Sequence, residues 1–90
     1  MKIKVRAFAS FRDILGRETD LEMEEGSTVK DLLDNLAASN QRFKAEAFNS
    51  SGDLKDYVLL MKNRKRIDPS GLEELKDGDE VAVFPPVAGG

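Results

Sequence analysis

The stretch Thr28-Val29-Lys30-Asp31-Leu32-Leu33-Asp34-Asn35-Leu36-Ala37 decides the fold. Val29, Leu32, Leu33, Leu36 and Ala37 recur at the i, i+3, i+4, i+7, i+8 spacing of one apolar stripe on an α-helix. Thr28 and Asp31 have the spacing of a capping box, with Asp in place of the preferred Glu, and Ser39-Asn40 is the expected stop. A helix with one apolar stripe must bury it against another layer. The surrounding segments read mainly as strands, so that layer is a sheet.

Upstream, residues 2–9 alternate. Ile3, Val5, Ala7 and Ala9 share one face, while Lys2, Lys4, Arg6 and Phe8 share the other, the period of a half-buried strand. Phe8 is the exception, an aromatic on the charged face. After a connection holding Phe11, Ile14, Leu15 and Gly16, residues 19–24 alternate again and complete a hairpin. Downstream of the helix, Phe43, Ala47 and Phe48 allow a short helix, and Ser50-Ser51-Gly52-Asp53 marks a turn. Tyr57 through Met61 is a continuous apolar run, expected as a strand buried on both faces. Asn63-Arg64 turns it into a short strand at Arg66-Ile67. Leu72 and Leu75 are expected to anchor one helical turn. Glu80 to Phe84 is the last strand, stopped by Pro85-Pro86, because proline cannot donate to a ladder. The expected order is β-β-α-β-β-β: an α+β domain over 1–84, a mixed sheet of four to five strands covered on one face by one main helix, and a flexible tail over 85–90.

Composition narrows the chemistry. Ninety residues allow one small core and no second domain. The formal net charge is -3, which gives no basic excess for nucleic-acid binding. The chain has no cysteine and no histidine, so thiolate nucleophiles, zinc-thiolate sites and the commonest general base are all missing. No apolar run reaches the roughly 20 residues that span a membrane, and Met1-Lys2-Ile3-Lys4 has no apolar signal core. A cytoplasmic monomer that binds neither membrane nor nucleic acid is expected.

The chain ends in Gly89-Gly90. At an average glycine content of about 7%, a terminal pair arises by chance in roughly 0.5% of chains. Pro85-Pro86 makes a stiff spacer, and residues without a Cβ fit a narrow channel that leads the carboxylate to another protein's catalytic groups. A frayed terminus is the plainer alternative. Strand parity adds a second feature. If Val81 and Val83 face the helix, Phe84 faces outward, as Phe8 does from the first strand. With those strands adjacent, the two rings form an apolar patch at the root of the tail; folding over a sheet edge is the alternative.

The segment Asp77-Gly78-Asp79-Glu80-Val81-Ala82-Val83-Phe84-Pro85-Pro86-Val87-Ala88-Gly89-Gly90 closely resembles the end of the MoaD/ThiS family of ubiquitin-like sulfur carriers, which includes the small subunit of molybdopterin synthase. Phe8-Ala9-Ser10-Phe11-Arg12-Asp13-Ile14-Leu15-Gly16 resembles the same family. Gly52-Asp53-Leu54-Lys55-Asp56-Tyr57 with the later Asn63 is similar to small archaeal modifier proteins, relatives that share the tail. Arg64 departs from the glycine that relatives often carry there. The resemblance implies a ubiquitin-like β-grasp fold and a chain that binds no cofactor. A ubiquitin-activating-type adenylating enzyme uses ATP and Mg²⁺ to activate the Gly90 carboxylate. Sulfur is then loaded and delivered in the large subunit of molybdopterin synthase, or Gly90 is joined to lysines of target proteins. It also implies Gly89 and Gly90 as the activated terminus, and Phe8, Phe11, Arg12, Phe84, Pro85, Pro86 and Val87 as partner-binding residues.

Two other classes compete. An enzyme would need paired carboxylates, but Glu24-Glu25, Glu73-Glu74 and Asp79-Glu80 are neighbours in sequence, and strand neighbours point to opposite faces. A binding module would use the basic run Lys62, Arg64, Lys65, Arg66, which suits an acidic partner or a phosphate; a solvated hairpin tip is the alternative.

Overall fold

The computed structural model describes residues 1–56 and 58–85. The elements are β1 (Lys2–Ala7), α1 (Ser10–Leu15), β2 (Glu18–Glu22), α2 (Val29–Ser39), α3 (Gln41–Ala47), β3 (Leu59–Lys62), β4 (Lys65–Ile67) and β5 (Glu80–Phe84). One five-stranded sheet runs in the order β2-β1-β5-β3-β4. Only the β1–β5 pair is parallel among the described strands, with Lys4 opposite Glu80 and Ala7 opposite Val83.

The core lies between one sheet face and the helices. Ile3, Val5, Ala7, Leu60, Val81 and Val83 bury their side chains against Val29, Leu32, Leu33 and Leu36 of α2. Phe43 of α3 extends this core, with Phe11 edge-on at 5.1 Å and Phe48 edge-on at 6.3 Å between ring centroids.

Helix α2 starts where expected. The Asp31 backbone N–H donates to the Thr28 hydroxyl oxygen (3.2 Å), and the Thr28 N–H donates to the Asp31 carboxylate (2.9 Å), a complete capping box. The next two orphan donors are met from a distance in sequence. Val29 N–H donates to the Glu73 carbonyl (3.0 Å) and Lys30 N–H to the Gly71 carbonyl (2.9 Å). Gly71 is required there: its φ is +66, and a Cβ would lie 3.0 Å from the Lys30 backbone nitrogen.

The structure corrects three sequence expectations. The apolar connection after β1 is a helix, α1, because Phe11, Ile14 and Leu15 at i, i+3, i+4 pack onto the core. Residues around Leu72 and Leu75 form no helical turn. The segment is extended and hydrogen-bonds along the start of α2, with Leu75 buried and Leu72 73% exposed. Strand β3 is not buried on both faces: Leu60 is buried, whereas Leu59 and Met61 are half-buried, because the helices cover one face only. Tyr57, expected to open that strand, lies outside the described residues.

The β3–β4 hairpin is tied to β5 by side chains. Asn63 Nδ2 donates to Asp79 (2.9 Å), the Glu80 N–H donates to Asn63 Oδ1 (2.9 Å), and the Lys76 N–H donates to Asp79 (2.8 Å). Partial burial pushes the Asp79 carboxyl pKa up, but the bonds from Asn63 and the Lys76 backbone, with the charges of Lys62 and Lys76, outweigh it and hold the carboxyl below its ordinary value of 3.8. A folded-state pKa below the unfolded one stabilises the protein above about pH 4, and that stability is lost as pH falls through the folded value. Denaturation curves are therefore expected to show stability falling below about pH 4 in the wild type. Asp79→Asn should be less stable at neutral pH and lose less on acidification. An unchanged acid limb would contradict this role for Asp79.

Candidate functional site: an aromatic stack at the root of the tail

The open face of the sheet is read row by row from the strand registers. Ala7 lies opposite Val83 and Leu59 opposite Phe84, which sets Phe8, Phe84 and Leu59 side by side. The next row is Arg6, Ala82, Met61 and Arg66. The first row is apolar and the second is apolar between two arginines.

Phe8 and Phe84 stack face to face, with centroids 4.3 Å apart and planes 8° from parallel. Both rings are half-buried, as the parity of the two strands requires. Neither folds over a sheet edge; they sit on the central strands. The guanidinium carbons of Arg6 and Arg12 lie 5.5 Å and 5.8 Å from the Phe8 centroid, within cation–π range. Arg6 is also held by Glu80 (3.5 Å) and Glu18 (4.0 Å).

A backbone irregularity aims these groups. Ala9 has φ 51 and ψ -130, a conformation that costs a non-glycine residue on the order of 1–3 kcal/mol. It bends the chain between β1 and α1, closed by the Phe11 N–H donating to the Phe8 carbonyl (3.1 Å). Phe8 is thereby left on the open face while Phe11 enters the core. The structure thus overturns the expectation that Phe11 faces a partner, for its side chain is fully buried against Phe43. Arg12 is exposed beside Phe8. Pro85 follows Phe84 and is half-buried. Pro86, Val87, Gly89 and Gly90 lie outside the described residues.

The face also has an apolar contribution that sequence reading missed. Leu59 and Met61 extend the patch across β3, and the signal for them was the apolar run read as core on both sides. Elsewhere, the acidic pairs form no catalytic dyad. Glu24, Glu25, Glu73 and Glu74 are exposed, Asp79 holds a turn and Glu80 pairs with Arg6. The carboxylates with displaced pKa values, Asp68 and Asp79, are both shifted down, opposite to what a general acid needs. A cleft of about 470 Å³ between α2, α3 and the loop after α3 lies on the helical side, away from the aromatic stack. Among the described residues, no helix is long and apolar enough to cross a membrane.

Residues 5–90 match the profile of the ThiS family, nearly the whole chain and including the diglycine. The chain belongs to the ThiS family. This family member is 36% identical to small archaeal modifier protein 3 of Haloferax volcanii, and the match covers all of both chains. It is 35% identical to the molybdopterin synthase sulfur carrier subunit of Chlamydomonas reinhardtii, again over the full length of both. Its structure superposes on crystalline small archaeal modifier protein 1 from H. volcanii with a TM-score of 0.86 at 28% identity, covering 96% of this chain and 98% of that one. The ThiS family chain is therefore a ubiquitin-like β-grasp protein of the sulfur carrier and modifier class, and not an enzyme: members serve as small carriers, modifiers or the non-catalytic small subunit of molybdopterin synthase.

The split between patch and core is measurable. Phe11→Ala should cost about 3–5 kcal/mol of stability, as a buried aromatic does. Phe8→Ala should cost only about 1–2 kcal/mol, the loss of a half-exposed stacked pair. Chemical denaturation of the two variants checks this, and equal losses would show that Phe8 is part of the core.

Proposed function

We propose that this chain is a carrier whose working group is the Gly90 carboxylate, activated by an adenylating partner enzyme and converted to a thiocarboxylate that delivers sulfur for molybdopterin synthesis. The supporting observation is the Phe8–Phe84 stack on β1 and β5, because β5 leads through Pro85 directly into the diglycine tail. A partner that reads the aromatic face has the tail's root within its grasp.

The chemistry follows from the group itself. A carboxylate is a poor electrophile. Attack of its oxygen on the α-phosphate of ATP releases pyrophosphate and leaves an acyl adenylate, in which AMP is a good leaving group. The terminal sulfur of a donor persulfide displaces AMP to give an acyl disulfide on Gly90. A second thiol then attacks the donor's sulfur of that S–S bond, so the donor leaves as a disulfide with that thiol and the bond's electron pair stays on the Gly90 sulfur as the thiocarboxylate. In molybdopterin synthase that sulfur passes to a pterin precursor. The catalytic side chains belong to the partners, which suits a chain without histidine or cysteine. ATP and Mg²⁺ are the activating enzyme's.

The match to small archaeal modifier protein 3 supports a second outcome for the same adenylate. A lysine amine of a target protein displaces AMP and forms an isopeptide bond to Gly90. Both readings share the activation step and differ only in the acceptor.

Deleting Gly90 is expected to abolish ATP–pyrophosphate exchange by the adenylating enzyme of the same organism, while the melting temperature stays that of the wild type. Exchange at the wild-type rate would sink the proposal.

A further inference from the structure

The basic run has a structural setting that the tail chemistry does not use. Asn63 and Arg64 form the turn between β3 and β4 with φ of 51 and 69, the left-handed pair of a tight hairpin turn. Asparagine tolerates that region, but arginine gains nothing there that glycine would not supply. Lys62 lies directly opposite Lys65, a like-charge pair in a register where opposite charges stabilise. Lys62 is compensated, 3.2 Å from Glu73 and donating to the Glu74 carbonyl. Arg64, Lys65 and Arg66 are exposed, and none has a carboxylate within 4.0 Å among the described residues.

The other end of the sheet is arranged differently. Lys2, Lys4 and Arg6 of β1 lie opposite Glu22, Asp20 and Glu18 of β2, and Glu18 closes ion pairs to both Lys4 and Arg6. That half of the face neutralises itself. The hairpin does not, although the chain as a whole carries a net charge of -3. Arg66 stands beside Met61 on the open face, so it borders the apolar rows that end at Phe84 and Phe8, whereas Lys65, opposite Lys62, shares the parity of Ile67 and faces the helical side.

We propose that the β3–β4 hairpin, through Arg64, Lys65 and Arg66, docks on an acidic protein surface of the adenylating partner that reads the aromatic face. This rests on the carrier-or-modifier reading above. Arg66 at the margin of the apolar patch, with Arg64 and Lys65 next to it at the hairpin tip, fits the rim of a protein interface, where charge governs association rate and register. A nucleic acid would need a longer basic track than one hairpin. A second copy of the chain has exposed carboxylates of its own, Asp20, Glu24 and Glu25 among them, so self-association is a separate outcome of the test.

The test is ATP–pyrophosphate exchange by the same organism's adenylating enzyme at low ionic strength. The full-length protein is compared with Arg64→Gly and with the triple variant Arg64→Gly, Lys65→Ala, Arg66→Ala. Arg64→Gly is expected to raise the melting temperature, because glycine suits the turn, and yet to raise KM for the carrier; a purely structural arginine would not move the two in that combination. The triple variant should raise KM about tenfold with kcat unchanged, and the difference should vanish at high salt, where exposed charges are screened. Lys44→Glu, on the helical side, serves as the charge control and should leave KM unchanged. Variants within about twofold of wild-type KM at low salt would overturn the docking role while leaving the carrier reading intact. Wild-type protein that supports no exchange would remove both. Self-association of the wild type that is lost in the triple variant would assign the hairpin to a second copy instead.

Discussion

The parallel pairing of β1 with β5 is the constraint on which the molecule depends. It places the first and last strands side by side at the centre of the sheet, so their inward residues, Ile3, Val5, Ala7, Val81 and Val83, form the floor under α2. The same register fixes what faces outward. Because Ala7 pairs with Val83, the next residues meet as a stacked ring pair, and the strand that carries Phe84 runs on into the tail. A slip of one residue would send Phe8 and Phe84 into the core and expose the valines, at a cost the small core could not bear. The extended segment at Gly71 to Leu75 supports this arrangement from the other side by meeting the free amide groups of α2 and leading the chain back to β5.

The outward face is built in zones of different chemistry. Toward β2 it is a lattice of paired charges, stable without a partner. Toward β3 it is apolar, with two aromatic rings, Leu59 and Met61, and arginines at its border. An apolar zone bounded by cations suits recognition, and the chain has neither histidine nor cysteine, the commonest general base and the thiolate nucleophile. The function consistent with this division is one in which the domain supplies an address and the tail supplies the reactive carboxylate.

Much of this was legible in the sequence, for physical reasons specific to each element. The Thr28 and Asp31 pair and the stripe from Val29 to Ala37 announced α2, because capping and a three-turn period are local. Strands β1 and β5 were legible from their alternation, and that alternation was enough to put Phe8 and Phe84 outward together. Helix α1 escaped because six residues hold too little periodicity, although Phe11, Ile14, Leu15 and the stop at Gly16 carried its signal. Phe11 was assigned to the partner face by the family resemblance, whereas the turn at Ala9 directs it into the core. The segment at Leu72 to Leu75 was misread because its partner is the start of α2, some forty residues earlier, and no local pattern encodes that contact.

The most direct test of the central claim examines Gly90 itself. Protein immunoprecipitated from its native host, denatured and analysed by mass spectrometry, should carry a modified terminus. Either one carboxylate oxygen of Gly90 is replaced by sulfur, or Gly90 is linked to lysines of other proteins. Sulfur alone would mark a carrier, lysine linkage alone a modifier, and both together one activated tail with two acceptors. A terminus found only as the unmodified carboxylate, in cells actively making molybdopterin, would contradict the account.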